Sequence, residues 1–206
     1  MGKRRAHPVS PNAGEFPPLT LGELAAKAGA MGGPIGVSVQ LNTQGADGGF
    51  GTHICDVEVD PDLGIVRVIR YTAVQDVGRA IHPSYVEGQL QGGVAQGIGF
   101  ALYEKVIWEN GRMQNGQMTN YIMPTSADLP LIRVYFEELG NVHGAYGAKG
   151  IGELPMDGPA PAIINAIEDA LHISFRSIPL LPEDIFAALS ESSTPEAVAS
   201  TSRGRE

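Results

Sequence analysis

Seven consecutive residues, Gly147-Ala148-Lys149-Gly150-Ile151-Gly152-Glu153, gather three glycines, a lysine and a carboxylate just ahead of an apolar helical pattern. A glutamate is a common proton acceptor at a reacting group, and glycines strip the main chain so that a bulky ligand can lie against it. The order is not that of a phosphate-cradling loop, because Lys149 is followed by Gly150, and it is not the dinucleotide fingerprint either. A plainer role stands beside the chemical one: Glu153 would favour the positive end of the following helix. That role leaves Gly150 and Gly152 unexplained.

A second constellation lies on a helical stretch from Ser84 to about Lys105. Gln89, Gly92, Gly93, Gln96, Gly97 and Phe100 recur at three- and four-residue intervals and share a face. Each of the glycines at 92, 93, 97 and 99 costs a helix up to ~1 kcal/mol relative to alanine, so something should compensate. Two explanations stand level: close helix packing, or close approach of a ligand to which the amides supply hydrogen bonds. Leu90, Val94, Ile98, Ala101 and Leu102 form a separate apolar stripe that can bury against a sheet.

The elements that must position these residues are legible in part. Thr20-Leu21-Gly22-Glu23 reads as a capping box, with Leu19 and Leu24 as a hydrophobic staple, opening a short helix that ends near Gly29. Val37, Val39 and Leu41 alternate with polar residues and predict a strand. Cys55, Val57 and Val59 do the same, the turn Asp60-Pro61-Asp62-Leu63-Gly64 follows, and the run IVRVIRYTAV returns antiparallel to make a hairpin. Cys55 on the inner face reads as a small core residue rather than a reactive thiol. Glu109-Asn110-Gly111-Arg112 is a turn, Ile132 to Glu137 a strand, and a last helix runs from about Ala160 to Leu171 with Ile163, Ile164, Ile167, Ala170 and Leu171 on one face. Residues 1–18 are expected to be a flexible arm, 19–189 the folded domain and 190–206 a disordered tail.

Composition narrows the function classes. With 27 glycines and 15 prolines among 206 residues, a simple helical bundle is excluded. A net charge of −9 leaves no broad basic surface for nucleic acid, and Lys3, Arg4 and Arg5 form the only basic cluster. The single cysteine allows no internal disulfide and no Cys-x-x-Cys site, so thiolate redox centres belong to other chains or domains. The most apolar helical stretch, LQGGVAQGIGFALY, is too short and too interrupted to cross a hydrocarbon layer of ~30 Å. The basic cluster leads into AHPVSPNAGEFPP rather than an apolar run, which makes the cytoplasm the expected compartment.

Four separated segments, DVEVDPDLGIVRVIRY, DVGRAIHP, VEGQLQGGVAQGIGFALYEK and GAKGIGELPM, together resemble the C-terminal portion of the molybdenum-binding large subunit of the xanthine dehydrogenase and aldehyde oxidase family. The likeness covers roughly residues 20–189. It implies an α+β fold of mixed and antiparallel sheet segments with packed helices, part of the second molybdopterin-binding domain of a larger subunit. It also implies that Glu153 is the active-site base at a molybdenum-bound hydroxyl and that Gln89 lies beside the metal and its oxo group. Gly150, Gly152, Gly92 and Gly93 would admit the cofactor to the main chain. The metal would be held by the pterin, with no protein ligand. The family usually has Asn-Pro where this chain has His82-Pro83, and a lone histidine is more often structural than catalytic.

The implied activity is hydroxylation of an aldehyde, purine or N-heterocycle with oxygen derived from water. Its cofactor would be molybdenum–molybdopterin, with the cytosine dinucleotide form among the candidates, and FAD and iron–sulfur clusters would sit in partner chains. Family large subunits are several times longer, and the segments that hold most of the pterin and shape the substrate pocket have no counterpart here. The chain is therefore expected to be a split subunit or the product of a fragmented gene, active only with the complementary large-subunit segment and the flavin and iron–sulfur subunits. A non-catalytic assembly or interaction subunit left by gene splitting is the competing expectation, and the intact Glu153, Gln89 and glycines favour the catalytic one.

Overall fold

The computed structural model describes residues 5–6, 17–40, 45 and 47–192. The chain divides into two compact units, one ending at Thr43 and one starting at Gln44. In the first, β1 (Arg5–Ala6) pairs antiparallel with β2 (Leu19–Thr20), which leads directly into α1 (Leu21–Ala28). The predicted capping box is present: Thr20 N donates to Glu23 Oε2 at 2.7 Å, and Glu23 N donates to Thr20 Oγ1 at 3.3 Å. The reciprocal pair satisfies two amide donors that a helix start otherwise leaves open.

The strand expected at Val37 and Val39 does not form. Residues 34–40 have no regular structure, and these valines are 87% and 73% exposed. Alternation describes a strand only when a neighbouring strand pairs with it and a core takes up its apolar side. Leu41, the remaining member of that pattern, lies outside the described residues, as do 193–206 and most of the expected N-terminal arm.

The second unit is α+β. Strands β3 (Gly51–Asp60) and β4 (Ile65–Asp76) form the predicted antiparallel hairpin, with Cys55 opposite Tyr71 and a register shift between Asp56 and Val57. At its turn, Asp60 Oδ1 accepts from Asp62 N and Leu63 N, while Gly64 adopts a φ of +67°. A side chain at Gly64 would run into the backbone of Pro182, so glycine is required on both grounds. Helix α2 (Pro83–Leu102) then carries the chain across, past the short hairpin β5 (Trp108–Glu109) and β6 (Arg112–Met113), to β7 (Ile132–Glu137). Strand β7 lies parallel to β4, giving the sheet order β3-β4-β7.

Helices α3 (Leu154–Asp157), α4 (Pro159–Leu171) and α5 (Pro182–Ser192) complete the unit. The last was not anticipated, and it extends three residues into the stretch expected as a tail. The core joins Tyr71 and Ala73 of β4, Val94, Ile98 and Ala101 of α2, Ile163 and Ile167 of α4 and Ile185 of α5, all fully buried. Each large aliphatic or aromatic member contributes about 1.5–3 kcal/mol. The whole predicted α2 stripe is buried, whereas Ala170 of α4 faces solvent. Cys55 packs against this core, and burial, reinforced by the Asp56 charge, pushes its thiol up to about 12. It behaves as the predicted core residue. A smaller cluster, Val77, Val86 and Leu90 with Val134, Phe136 and Ile151, lies under the residues of chemical interest.

Candidate functional site

The glycine-rich loop before Glu153 is fastened to the end of β4. Lys149 N donates to Val77 O at 3.1 Å, Arg79 N donates to Gly147 O at 2.8 Å, and Gly78 and Ala148 form a bridge. Gly78 has a φ of +59°, and a Cβ there would stand 2.5 Å from Gly147 O. The approach of the two segments therefore depends on a bare backbone at this point.

Beneath the bridge is an ion pair that sequence reasoning missed. Lys149 Nζ lies 2.6 Å from Asp76 Oδ2, with side chains 10% and 0% exposed, and also donates to Gly48 O at 3.0 Å. The other carboxylate oxygen, Oδ1, accepts from Gly78 N at 3.0 Å. Burial alone would raise the Asp76 carboxyl, but the ammonium and the amide more than offset it and hold the group below its ordinary value. Lys149 attracted notice in the sequence only as a failed phosphate-loop lysine. Asp76, the last residue of a β-branched strand and two before a glycine, was the available signal for its partner.

Gln89 and the loop are brought together across 63 residues: Gln89 Nε2 donates to Gly152 O at 2.8 Å. This uses one of the amide's two donors and leaves its acceptor to offer. Glu153 follows at once, exposed, at the start of α3, and its side chain makes no capping hydrogen bond. Its place at the N-terminal end of α3 still suits a carboxylate by charge–dipole attraction.

The candidate glycines separate into two kinds. A Cβ at Gly88, Gly92, Gly150 or Gly152 would meet nothing within 4 Å. At Gly93 it would stand 2.8 Å from Pro155 Cβ, and at Gly97 2.6 Å from Pro159 Cγ. Gly93, expected at the cofactor, is instead buried where α2 packs against α3, and Gly97 does the same against α4. Close packing accounts for Gly93 and Gly97, whereas Gly92 has no packing partner among the described residues.

Beside Gln89 opens a cavity of about 340 Å³ lined by Arg79, His82, Tyr85, Gln89, Lys149 and Gly152, among others. His82 stacks on Tyr85 with ring centroids 4.1 Å apart, and its carbonyl accepts from the Tyr85 and Val86 amides. It sets the start of α2, where the missing amide hydrogen of Pro83 is tolerated. Among the described residues no three His, Cys, Asp or Glu side chains converge as metal ligands. The cavity thus presents the Gln89 amide and the Gly152 main chain, with Glu153 the next residue along the loop and outside the lining.

The molybdopterin cofactor-binding domain model matches residues 8–130, more than half of the chain. The chain is 33% identical over 187 residues to the putative xanthine dehydrogenase molybdenum-binding subunit XdhA of Escherichia coli, covering 88% of this chain and 25% of that protein. It is 37% identical over 143 residues to the nicotine 6-hydroxylase large subunit of Paenarthrobacter nicotinovorans, covering 67% and 17%. Among solved structures, quinoline 2-oxidoreductase from Pseudomonas putida 86 superposes with a TM-score of 0.64 at 35% identity, over 68% of this chain and 18% of that one. The aldehyde oxidoreductase of Desulfovibrio gigas gives 0.63 at 30% identity, over 69% and 15%. The chain thus spans a quarter or less of these relatives.

Proposed function

The chain belongs to the molybdopterin cofactor-binding domain family of molybdenum hydroxylase large subunits, and from that premise we propose that it is the C-terminal catalytic portion of such an enzyme. The observation that carries the proposal is the Gln89–Gly152 hydrogen bond, which joins α2 to the loop ending in Glu153. The residues present fit the cofactor, because the open glycines 88, 92, 150 and 152 leave bare main chain around Gln89 and Glu153. When bound, the cofactor supplies the metal centre at which a substrate carbon is oxidised with water-derived oxygen.

The chain's own residues hold and use that centre. Glu153 is the proton acceptor, exposed at the loop end and uncommitted to helix capping. Gln89 presents its second N–H where negative charge develops, oriented by the bond to Gly152 O. Gly92, Gly150 and Gly152 admit the cofactor; Gly93 supports them by packing α2 on Pro155. Aldehydes, purines and N-heterocycles are the substrate classes. The complementary large-subunit segment supplies the rest of the cofactor and substrate pockets, flavin and iron–sulfur subunits take the electrons, and the cytosine dinucleotide is one candidate form of the cofactor.

Co-expression with the complementary large-subunit segment and the redox subunits tests this reading. We expect a complex that contains molybdenum and oxidises one of these substrate classes with a dye acceptor, and a Glu153→Ala complex that keeps its molybdenum but loses turnover. An assembled wild-type complex without metal would favour the non-catalytic assembly role.

A further inference from the structure

We propose that the buried Lys149–Asp76 pair is a positioning latch that holds Glu153 beside Gln89. The proposal rests on the reading of Glu153 as the base. A buried ion pair gains little over apolar packing because both charges must be desolvated, so stability by itself does not account for it. What the pair supplies is a fixed register. Lys149 joins three segments at once: its ammonium reaches Asp76 Oδ2 and Gly48 O, and its amide reaches Val77 O.

From this residue only Gly150, Ile151 and Gly152 lead to Glu153. The two glycines, left bare for a ligand, would otherwise give this stretch wide freedom. Three successive anchors remove that freedom. The ion pair fixes Lys149, the Val77–Val86–Leu90 cluster receives Ile151, and Gln89 takes the Gly152 carbonyl. Lys149 and Asp76 touch no reacting group in this arrangement and act through Glu153.

Hydrogen exchange on the 206-residue chain tests the latch without turnover. In Asp76→Leu/Lys149→Met, which removes both charges together, we expect the backbone amides at positions 149 and 79 to exchange about tenfold faster or more, relative to their intrinsic rates, while those of Ile163 and Ile167 in α4 are unchanged. Asp76→Asn keeps the side-chain shape but leaves the buried ammonium without its counter-charge, and should shift the same two amides in the same direction by at least as much. Unchanged loop amides, or equal acceleration in loop and α4, would overturn the latch. In the assembled enzyme the double variant should keep its molybdenum content and KM while kcat falls about tenfold or more, as expected for a misplaced base. Wild-type kcat there sinks the latch and leaves the base reading standing, whereas wild-type kcat in Glu153→Gln sinks the base reading and with it the function proposed for the latch.

Discussion

The glycines of α2 and those of the loop before Glu153 look alike in sequence and meet opposite surroundings. Gly93 and Gly97 are filled from outside by Pro155 and Pro159, so their missing side chains allow α2 to seat against α3 and α4. Gly150 and Gly152, with Gly88 and Gly92 on the outer side of α2, face nothing. The first set secures the scaffold, and the second leaves open space beside the main chain. A glycine therefore becomes evidence for ligand approach only when the space opposite it is empty.

The largest effect that sharpens this comparison lies on the open side. Glu153→Gln in the assembled enzyme should lower kcat by about 10²–10⁴-fold, the usual contribution of a general base. Its thermal midpoint should stay at the wild-type value, because the side chain is exposed and caps nothing. A kcat loss matched by a large fall in the midpoint would erase the distinction between the two regions.

On the packed side the order reverses. Gly97→Ala places a Cβ 2.6 Å from Pro159 Cγ and 3.0 Å from Met156 O. Overpacking of this kind should cost about 1–3 kcal/mol in denaturant titrations, even though alanine favours the helix. Unaltered stability would show that α2 and α4 are not seated as described.

The two regions should also part in their response to acid. His53 belongs to the packed side: its Nδ1 lies 2.9 Å from Tyr71 OH, a Cβ on Gly158 would strike its ring, and Asp157 is the charge acting on it from α3. Burial lowers its folded value despite Asp157 and Gln75. The unfolded chain therefore binds the proton more readily, and stability present above the ordinary value of about 6.5 is lost as pH falls through it. Asp76 belongs to the latch, and its depressed carboxyl contributes stability present above about 3.9 and lost as pH falls through the folded value. Stability against pH should show two declines, the upper removed by His53→Gln and the lower by Asp76→Asn. A curve flat between pH 7 and 5 would contradict the lowered value of the half-buried histidine.

The smallest effect is a gain. Gly92→Ala meets no neighbour and should stabilise the isolated chain by up to ~1 kcal/mol, while lowering molybdenum uptake by the assembled complex. Undiminished uptake would remove Gly92 from the cofactor face.

Much of this molecule was legible in its sequence because local rules and burial agreed. The capping box at Thr20 and Glu23, the turn from Asp60 to Gly64, the hairpin around it and the α2 stripe from Leu90 to Leu102 each satisfy a short-range requirement and also face a core. Val37 and Val39 show the converse: the period is there, but the described structure pairs no strand with them. Gln89 and Glu153 could be singled out by type and spacing and by resemblance. The hydrogen bond that ties Gln89 to the residue before Glu153 could not, since it joins α2 to Gly152 across 63 residues.

By itself, the sequence singled out a carboxylate and an amide among glycines as candidates and, by resemblance, the family to which the chain belongs. Only the tertiary structure decided which glycines are packing and which are open, and that Lys149 grips Asp76 across the end of β4. The physical reason is one of range. Capping, turns and periodicity are settled within a few residues of chain. What fills the space beside a bare backbone, or neutralises a buried ammonium, depends on atoms brought in from a distant segment.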